Sequence, residues 1–177
     1  MTSIYLDVPF QSQLKLGDPD NPINDVTGCW YASACMIGYY FEVGPRLGVP
    51  EKYDPVKQRH SIMMNEDYPK LMANEGLALV PLPTGKQWGG DQLADLLRDY
   101  GPLSFGWMKT SKRSGKTYGH RSVLIGYDDT TSEVIFHDPE LLPNSRLPLA
   151  TFNKVFRWVN PYGMLRRDGP ALVRPTQ

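Results

Sequence analysis

Cysteine is nearly absent from this chain: Cys29 and Cys35 are the only two in 177 residues. Both fall on one expected helix, about 9 Å apart along its axis and on different sides, so no bond can join them. That excludes a disulfide-stapled secreted fold. Histidine is almost as rare, with His60, His120 and His137 scattered along the sequence. Together with two cysteines on one helix they offer no ligand spacing for a metal, and no metal is expected. Charge of one sign is lacking too, since 19 basic residues face 19 acidic ones. No global field therefore draws the chain to nucleic acid or to a membrane surface. No apolar run reaches the length of a membrane span, and Met1-Thr2-Ser3-Ile4-Tyr5-Leu6-Asp7 has neither the basic nor the apolar part of a signal peptide. If the protein leaves its cell, it does so without a conventional signal, or the chain is an excised domain. Repeats and low-complexity segments are also missing.

What is present reads as a globular protein. A hydrophobic fraction of 41% and an aromatic fraction of 11% are enough to build a core and argue against disorder. Residues 1–177 fit one domain, and 16 glycines with 16 prolines imply a loop-rich surface. Ile4 to Phe10 alternates as a short strand, with Pro9 marking an edge or an end. Residues 14 to 28 are a loop rich in Gly, Pro, Asp and Asn. A helix is expected from about Cys29 to Phe41, stopped by Gly44-Pro45, with Ala32, Cys35, Met36, Tyr39 and Tyr40 as its core-facing stripe. The region 45 to 88 is the least readable; a short helix over Pro69 to Asn74 capped by Gly76 is its one signal. Asp91 to Tyr100 is a clearer helix, ended by Gly101-Pro102. Strands follow at Leu103 to Met108, Ser122 to Tyr127 and Glu133 to His137, the last two joined by the polar turn Asp128 to Ser132. Ser111 to Gly119 is a basic loop, Phe156 to Val159 a further strand, and the tail after about residue 166 is expected to be mobile. Helices first and strands later give an α+β class: a helical part packed on an antiparallel sheet.

One constellation carries chemistry. Cys29 sits in Thr27-Gly28-Cys29-Trp30-Tyr31-Ala32, where a loop turns into a helix. Unpaired donors and the positive end of that helix favour a thiolate there. His120 opens a strand in Tyr118-Gly119-His120-Arg121-Ser122, and Asp138 follows the next strand in Phe136-His137-Asp138-Pro139. A thiol nucleophile needs a base to hold its proton, an acid to orient that base, and donors for the oxyanion. His120 and Asp138 suit the first two roles. The Cys29 backbone N–H and the side-chain amide of Gln13 suit the last, with Gln11 in reserve. Taken singly each residue has a plainer reading: Cys29 as a buried helix cysteine, His120 as a strand-end histidine, Asp138-Pro139 as a turn opener, Gln13 as surface polarity. Their order and placement together favour the active-site reading. Cys35 is expected to be a small buried apolar residue. His60 finds no partner. His137 neighbours Asp138, but adjacent strand residues face opposite ways, so only one can point to the site.

These residues resemble clan CA, the papain-like cysteine peptidases, and above all the bacterial effector proteases of the AvrRpt type. Val8-Pro9-Phe10-Gln11-Ser12-Gln13 is similar to the segment bearing the oxyanion glutamine. Gly28-Cys29-Trp30-Tyr31-Ala32-Ser33 is similar to the nucleophile helix. Gly119 to Tyr127, with His137-Asp138-Pro139, is similar to the base and its orienter, and Tyr100-Gly101-Pro102-Leu103 to the strand entering the sheet. The double-glycine leader peptidase domains of bacteriocin exporters share the histidine and aspartate block, but Gly usually follows their nucleophile where Trp30 stands here. The gap from Gln13 to Cys29 is long for either group, so the extra loop must fold outward.

The resemblance implies a papain-like fold, peptide-bond hydrolysis through an acyl-thioester, and no cofactor. It further implies a bacterial toxin or effector, secreted without a conventional signal and acting in the cytoplasm of a target cell. Its partners would be a protein or peptide substrate and a cognate immunity protein or inhibitor. Trp30 and Trp107 are candidate walls of a narrow groove suited to small residues, with Trp88, Tyr118 and the loop Lys109 to Lys116 nearby; both tryptophans could equally be core. Two other readings share the sequence: an amidase or acyltransferase with the same triad, acting on peptidoglycan peptides or glutamine side chains, and an inactive papain-fold binding module with Cys29 covered by loop 14 to 28.

Overall fold

Dense apolar residues between 103 and 137 build the centre of one antiparallel sheet. The computed structural model describes residues 2–15, 20–21, 23–42 and 64–173; His60 and the expected Gly44-Pro45 stop lie outside them. In chain order the elements are β1 (Ile4–Tyr5), α1 (Cys29–Tyr40), α2 (Met64–Glu75), β2 (Leu77–Leu79), α3 (Gly90–Tyr100), β3 (Leu103–Thr110), β4 (Thr117–Asp128), β5 (Glu133–His137), β6 (Ser145–Pro148), α4 (Leu149–Val155) and β7 (Met164–Arg167). The sheet runs β2-β7-β3-β4-β5-β6, and β1 pairs with β4. Every pairing between these strands is antiparallel. The class is α+β, as expected. No helix among the described residues is long and apolar enough to cross a membrane.

Helices cover both faces of this sheet. On one, Leu93 and Leu97 of α3 and Phe152 of α4 meet Phe105, Leu124, Val134 and Phe136. On the other, Met36 and Ile37 of α1 meet Val123, Ile125 and Ile135. The opposite side of α1 packs Tyr31 and Cys35 near Leu71 of α2. Enclosed between sheet and α2, α1 buries Trp30 through Ile37 without a break. The stripe expected from the sequence is therefore too narrow, because a helix with partners on two sides is apolar all round.

Strict alternation fails once, and the failure is structural. Leu124 and Tyr127 lie three residues apart yet share the α3 face. A register shift between Leu124 and Gly126 supplies the extra residue, as a β-bulge does. Tyr127 then lies over the start of α3, where a Cβ on Gly90 would sit 2.3 Å from its ring. Gly126 is crowded by main chain: a Cβ there would lie 2.7 Å from the Ile4 carbonyl oxygen.

Several elements differ from the sequence reading. The N-terminal strand shrinks to Ile4–Tyr5. The helix expected at Pro69 begins five residues earlier, at Met64, with Pro69 inside it, so one ladder hydrogen bond is missing near its start. Phe156 to Val159 is not a strand; Phe156 makes only an isolated bridge to Trp107. Strands β2, β6 and β7 and helix α4 were not expected. Residues 167 to 173 are tied down, with the Asp168 N–H on the Gly76 carbonyl at 2.8 Å and the Leu172 N–H on the Asp99 carbonyl at 2.6 Å. Gly76 itself holds φ +66° past the end of α2, the left-handed cap that glycine adopts without strain.

Gly126→Ala should lower stability by about 1–3 kcal/mol, because its Cβ meets backbone that cannot rotate away. Gly85→Ala, with nothing within 4 Å of its added Cβ, should stay within about 0.5 kcal/mol of the wild type. Urea midpoints measure both, and equal values for the two variants would contradict the crowding argument.

Candidate active site

Cys29 is the first residue of α1, preceded by the cap residue Gly28. The helix start has no side-chain cap and no acidic residue in its first turn. Its free N–H groups and positive end are thus left for the cleft rather than neutralised locally. The turn leading in is fixed by Asp25, whose Oδ1 accepts from the Thr27 N–H at 2.8 Å and hydroxyl at 2.7 Å. The Gly28 N–H donates to the Asp25 carbonyl at 3.0 Å.

His120 lies in β4 opposite Trp107 of β3, and Asp138 directly follows β5. Pairing of β4 with β5, in which Val123 faces His137, brings the aspartate back to the histidine. His120 Nε2 and Asp138 Oδ1 are 2.7 Å apart, with both side chains buried. Cys29 is close enough for its side chain to raise the imidazole pKa; with Nε2 on Asp138, Nδ1 is the ring nitrogen that remains, 3.9 Å from Glu140 Oε2. Cys29 is half-buried and borders a cleft of about 480 Å³ with Trp30, Tyr118, His120 and Arg157. Cys29 and His120 thus meet at one opening, with Asp138 buried behind the histidine.

The family comparison agrees with this geometry. Residues 2–157 match the family described as papain-like cysteine protease AvrRpt2. The chain belongs to that family. It is a cysteine protease, with protein or peptide as substrate. Among solved structures, a C39-like peptidase from Bacillus anthracis is similar at a TM-score of 0.55 and 16% identity, over 98% of this chain and 99% of that one. At that identity the likeness is one of fold. Both resemblances drawn from the sequence are thereby met.

The other expected site residues of the protease divide. Trp30 borders the cleft. Trp107 does not: it is buried, its Nε1 donates to Ser122 at 3.0 Å, and its ring stands edge-on to His120 at 5.7 Å. It backs the histidine and shields it from water. Trp88 is core, packed against Phe156 and Trp158. Gln13 is buried behind the Cys29 turn. Its amide nitrogen donates to the carbonyls of Asp25 at 3.2 Å and Val26 at 3.1 Å, while its Oε1 has no hydrogen-bond partner among the described residues. Its backbone N–H donates to Pro139 at 2.8 Å and its carbonyl accepts from Asp25 at 2.7 Å. Gln13 therefore ties the loop after Asp138 to the turn before Cys29, and its pairing with Asp25 closes the base of the long loop. Gln11 is bound to Asn21.

Sequence reasoning placed Lys109 only in a loop near the groove and missed Glu140. Lys109 Nζ lies 2.7 Å from Asp138 Oδ2 and 3.2 Å from Glu140 Oε1. Tyr118 donates to Glu140 at 2.5 Å, and the Glu140 N–H donates to Asp138 Oδ1 at 3.0 Å. A lysine two residues beyond Trp107 on an amphipathic strand gives no sign of this without the β3–β4 register. His137 turns away as expected: Asn144 N–H donates to its Nδ1 at 3.1 Å, so Nε2 carries the proton and donates to the Val8 carbonyl at 2.7 Å.

Burial alone would push the His120 pKa down. Hydrogen bonds to Asp138 and Cys29, with the charges of both, outweigh it and raise the pKa from 6.5 to about 9. Burial likewise works against ionised Asp138, but His120 and Lys109 hold its carboxyl below the usual value. Burial first, then the bond to Glu140, pushes Tyr118 well up, so it stays a donor. Since His120 is raised on folding, its pairing contributes stability fully below the unfolded value near 6.5 and loses it as the pH rises through about 9. His137 has the opposite sign: burial lowers its pKa, so its contribution is lost as the pH falls below the unfolded value.

An NMR titration of the His120 ring should therefore find it protonated at neutral pH. Asp138→Asn and Cys29→Ala should each lower its pKa, and the double variant should titrate no higher than about 6.5. A ring that titrates near 6.5 in the wild type would contradict the arrangement.

Proposed function

We propose that Cys29, His120 and Asp138 form the catalytic triad of an endopeptidase, and that the protein is a bacterial effector or toxin that cuts a protein inside another cell. The observation that carries the triad is the placement of His120, with Nε2 on Asp138 at 2.7 Å and Nδ1 left for Cys29. From this arrangement the Cys29 thiolate attacks the carbonyl carbon of the scissile bond. A C–S bond forms and the carbonyl electron pair moves onto oxygen. As the tetrahedral species collapses the C–N bond breaks, and His120 gives its Nδ1 proton to the departing amine. The neutral imidazole then takes a proton from water, which attacks the acyl-thioester and releases the acid. Thiolate and imidazolium are restored. Asp138 stays ionised throughout, holding the ring's orientation and tautomer.

The developing oxyanion takes the Cys29 N–H at the uncapped helix start as its first donor. Gln13 is the proposed second, once its amide turns out of the Asp25 and Val26 carbonyls. Its orphaned Oε1 makes the resting position one that costs about 1–3 kcal/mol in unsatisfied polarity, so leaving it is not opposed by a fully bonded state. Trp30 lines the groove beside the nucleophile. Trp107 is assigned a supporting place behind the base. The open position of Cys29 on the cleft supports an enzyme over a binding module with a covered thiol. Delivery into another cell, and a cognate immunity protein in the producer, rest on the resemblance to effector proteases of the AvrRpt type.

Incubation with a lysate of candidate target cells should generate new protein N-termini detectable by mass spectrometry. Cys29→Ala should produce none, Asp138→Asn should slow their appearance by about 10²–10⁴-fold, and Gln13→Ala by about 10²–10³-fold. Deamidated glutamines or trimmed peptidoglycan peptides without new N-termini would replace the endopeptidase reading with the amidase. A folded protein yielding no product would favour the binding module.

A further inference from the structure

The charges that line the cleft are not equally balanced. Glu140 is met by the Tyr118 hydroxyl and by Lys109. Arg121 and Arg157, with Asn160, line the same cleft. Arg121 is buried and held by neutral groups alone: Tyr68 Oη at 3.1 Å, Ser104 Oγ at 2.8 Å and the Tyr162 carbonyl. Its guanidinium lies 5.0 Å over the Tyr68 ring. Arg157 has neither a hydrogen-bonding nor an ion-pair partner for its side chain among the described residues. A buried or half-buried cation without an anion is the uncommon case, because removal from water is compensated by pairing.

The position of Arg157 is set by its backbone. Its N–H donates to the Gly106 carbonyl at 3.0 Å, and its own carbonyl accepts from Asn160 at 3.1 Å. The side chain runs across β4 so that Nη1 would lie 2.7 Å from a Cβ on Gly119, the residue immediately before His120. Consecutive α-carbons are about 3.8 Å apart, and an extended chain advances about 3.3 Å per residue. A guanidinium over Gly119 therefore reaches one or two residues from the bond being cut.

We propose that Arg157, with the charge of Arg121 behind it, is a specificity residue that receives a substrate carboxylate within about two residues of the scissile bond, a spacing set by the extended-chain rise. The carboxylate is either an Asp or Glu side chain or the free C-terminus of a short peptide. Arginine suits the role because its planar fork pairs a carboxylate bidentately. This rests on the triad reading, with Cys29 and His120 as the reacting groups.

The test needs no known substrate. Alkylation of Cys29 is followed by peptide mass spectrometry with two reagents of one reactive group, anionic iodoacetate and neutral iodoacetamide. The iodoacetamide rate reports the thiol and its histidine; the ratio of the two rates reports the anion subsite. Arg157→Ala should lower that ratio about fivefold, the upper end for one partly solvated charge pair, and leave the iodoacetamide rate unchanged. Arg157→Lys should retain most of the ratio. An unchanged ratio in Arg157→Ala overturns the proposal. An iodoacetamide rate indifferent to His120→Ala overturns the triad instead, and the two failures are read separately. In a digested peptide library, acidic residues should be enriched near the cut. That enrichment identifies the side chain; cleavage within about two residues of the C-terminus that is lost on C-terminal amidation identifies the terminus instead, and the absence of both patterns contradicts the subsite.

Discussion

A buried hydrogen bond of 2.7 Å between His120 and Asp138 is the constraint on which the chemistry and much of the fold depend. A carboxylate and an imidazole removed from water are costly unless they meet in good geometry. Meeting requires the long antiparallel pairing of β4 with β5, which returns the chain to the level of His120. Lys109, delivered by the β3–β4 register, occupies the second oxygen of Asp138, so the carboxylate cannot rotate away from the ring. Trp107 and Tyr118 stand edge-on to the imidazole and keep the bond dry. Charge at His120 is thus a product of sheet pairing.

Cys29, the proposed nucleophile, reaches the same place by another route. Helix α1 lies across the sheet face built by Val123, Ile125 and Ile135, and its first residue projects toward the start of β4. Two cores meet across β4, with Leu124 facing one and Val123 the other. Gln13 closes the arrangement by joining Pro139 to Asp25 through its backbone and the Cys29 turn through its amide. A buried residue with these contacts fixes the distance between the two loops that carry Cys29 and Asp138. In the proposed mechanism structure and oxyanion chemistry therefore compete for one side chain, whose Oε1 is left unsatisfied.

The legible parts of this fold were those whose signal is local. Cys29 was readable because a loop-to-helix transition is written in adjacent residues, and β3 to β5 because long apolar strands with a polar turn leave a period. The acid could be placed because Asp138 ends a strand that must pair with the one His120 begins. By contrast, β2, β6 and β7 are three or four residues long, and their identity is conferred by the strands they pair with. Proline suits a helix's first turn, which points to a start at Pro69; the helix instead begins at Met64 and carries Pro69 inside it. The tryptophans could not be sorted by sequence, since an aromatic beside an active site and one beneath it look alike. Lys109, Glu140 and Arg157 come from three separate segments and gain meaning only from register and from the path of a side chain over Gly119.

The measurement closest to the centre of this account is the pH dependence of Cys29 alkylation by a neutral reagent, with Cys35 as internal control. Burial, aided by the charge of Glu75, pushes Cys35 up to about 12, so it should stay unreactive across the neutral range. Across that range Cys29 should label far faster than Cys35, and the labelling should slow strongly in His120→Ala. Labelling of Cys29 no faster than that of Cys35, or at the same rate with and without His120, would contradict the pairing of thiol with imidazole and the mechanism built on it.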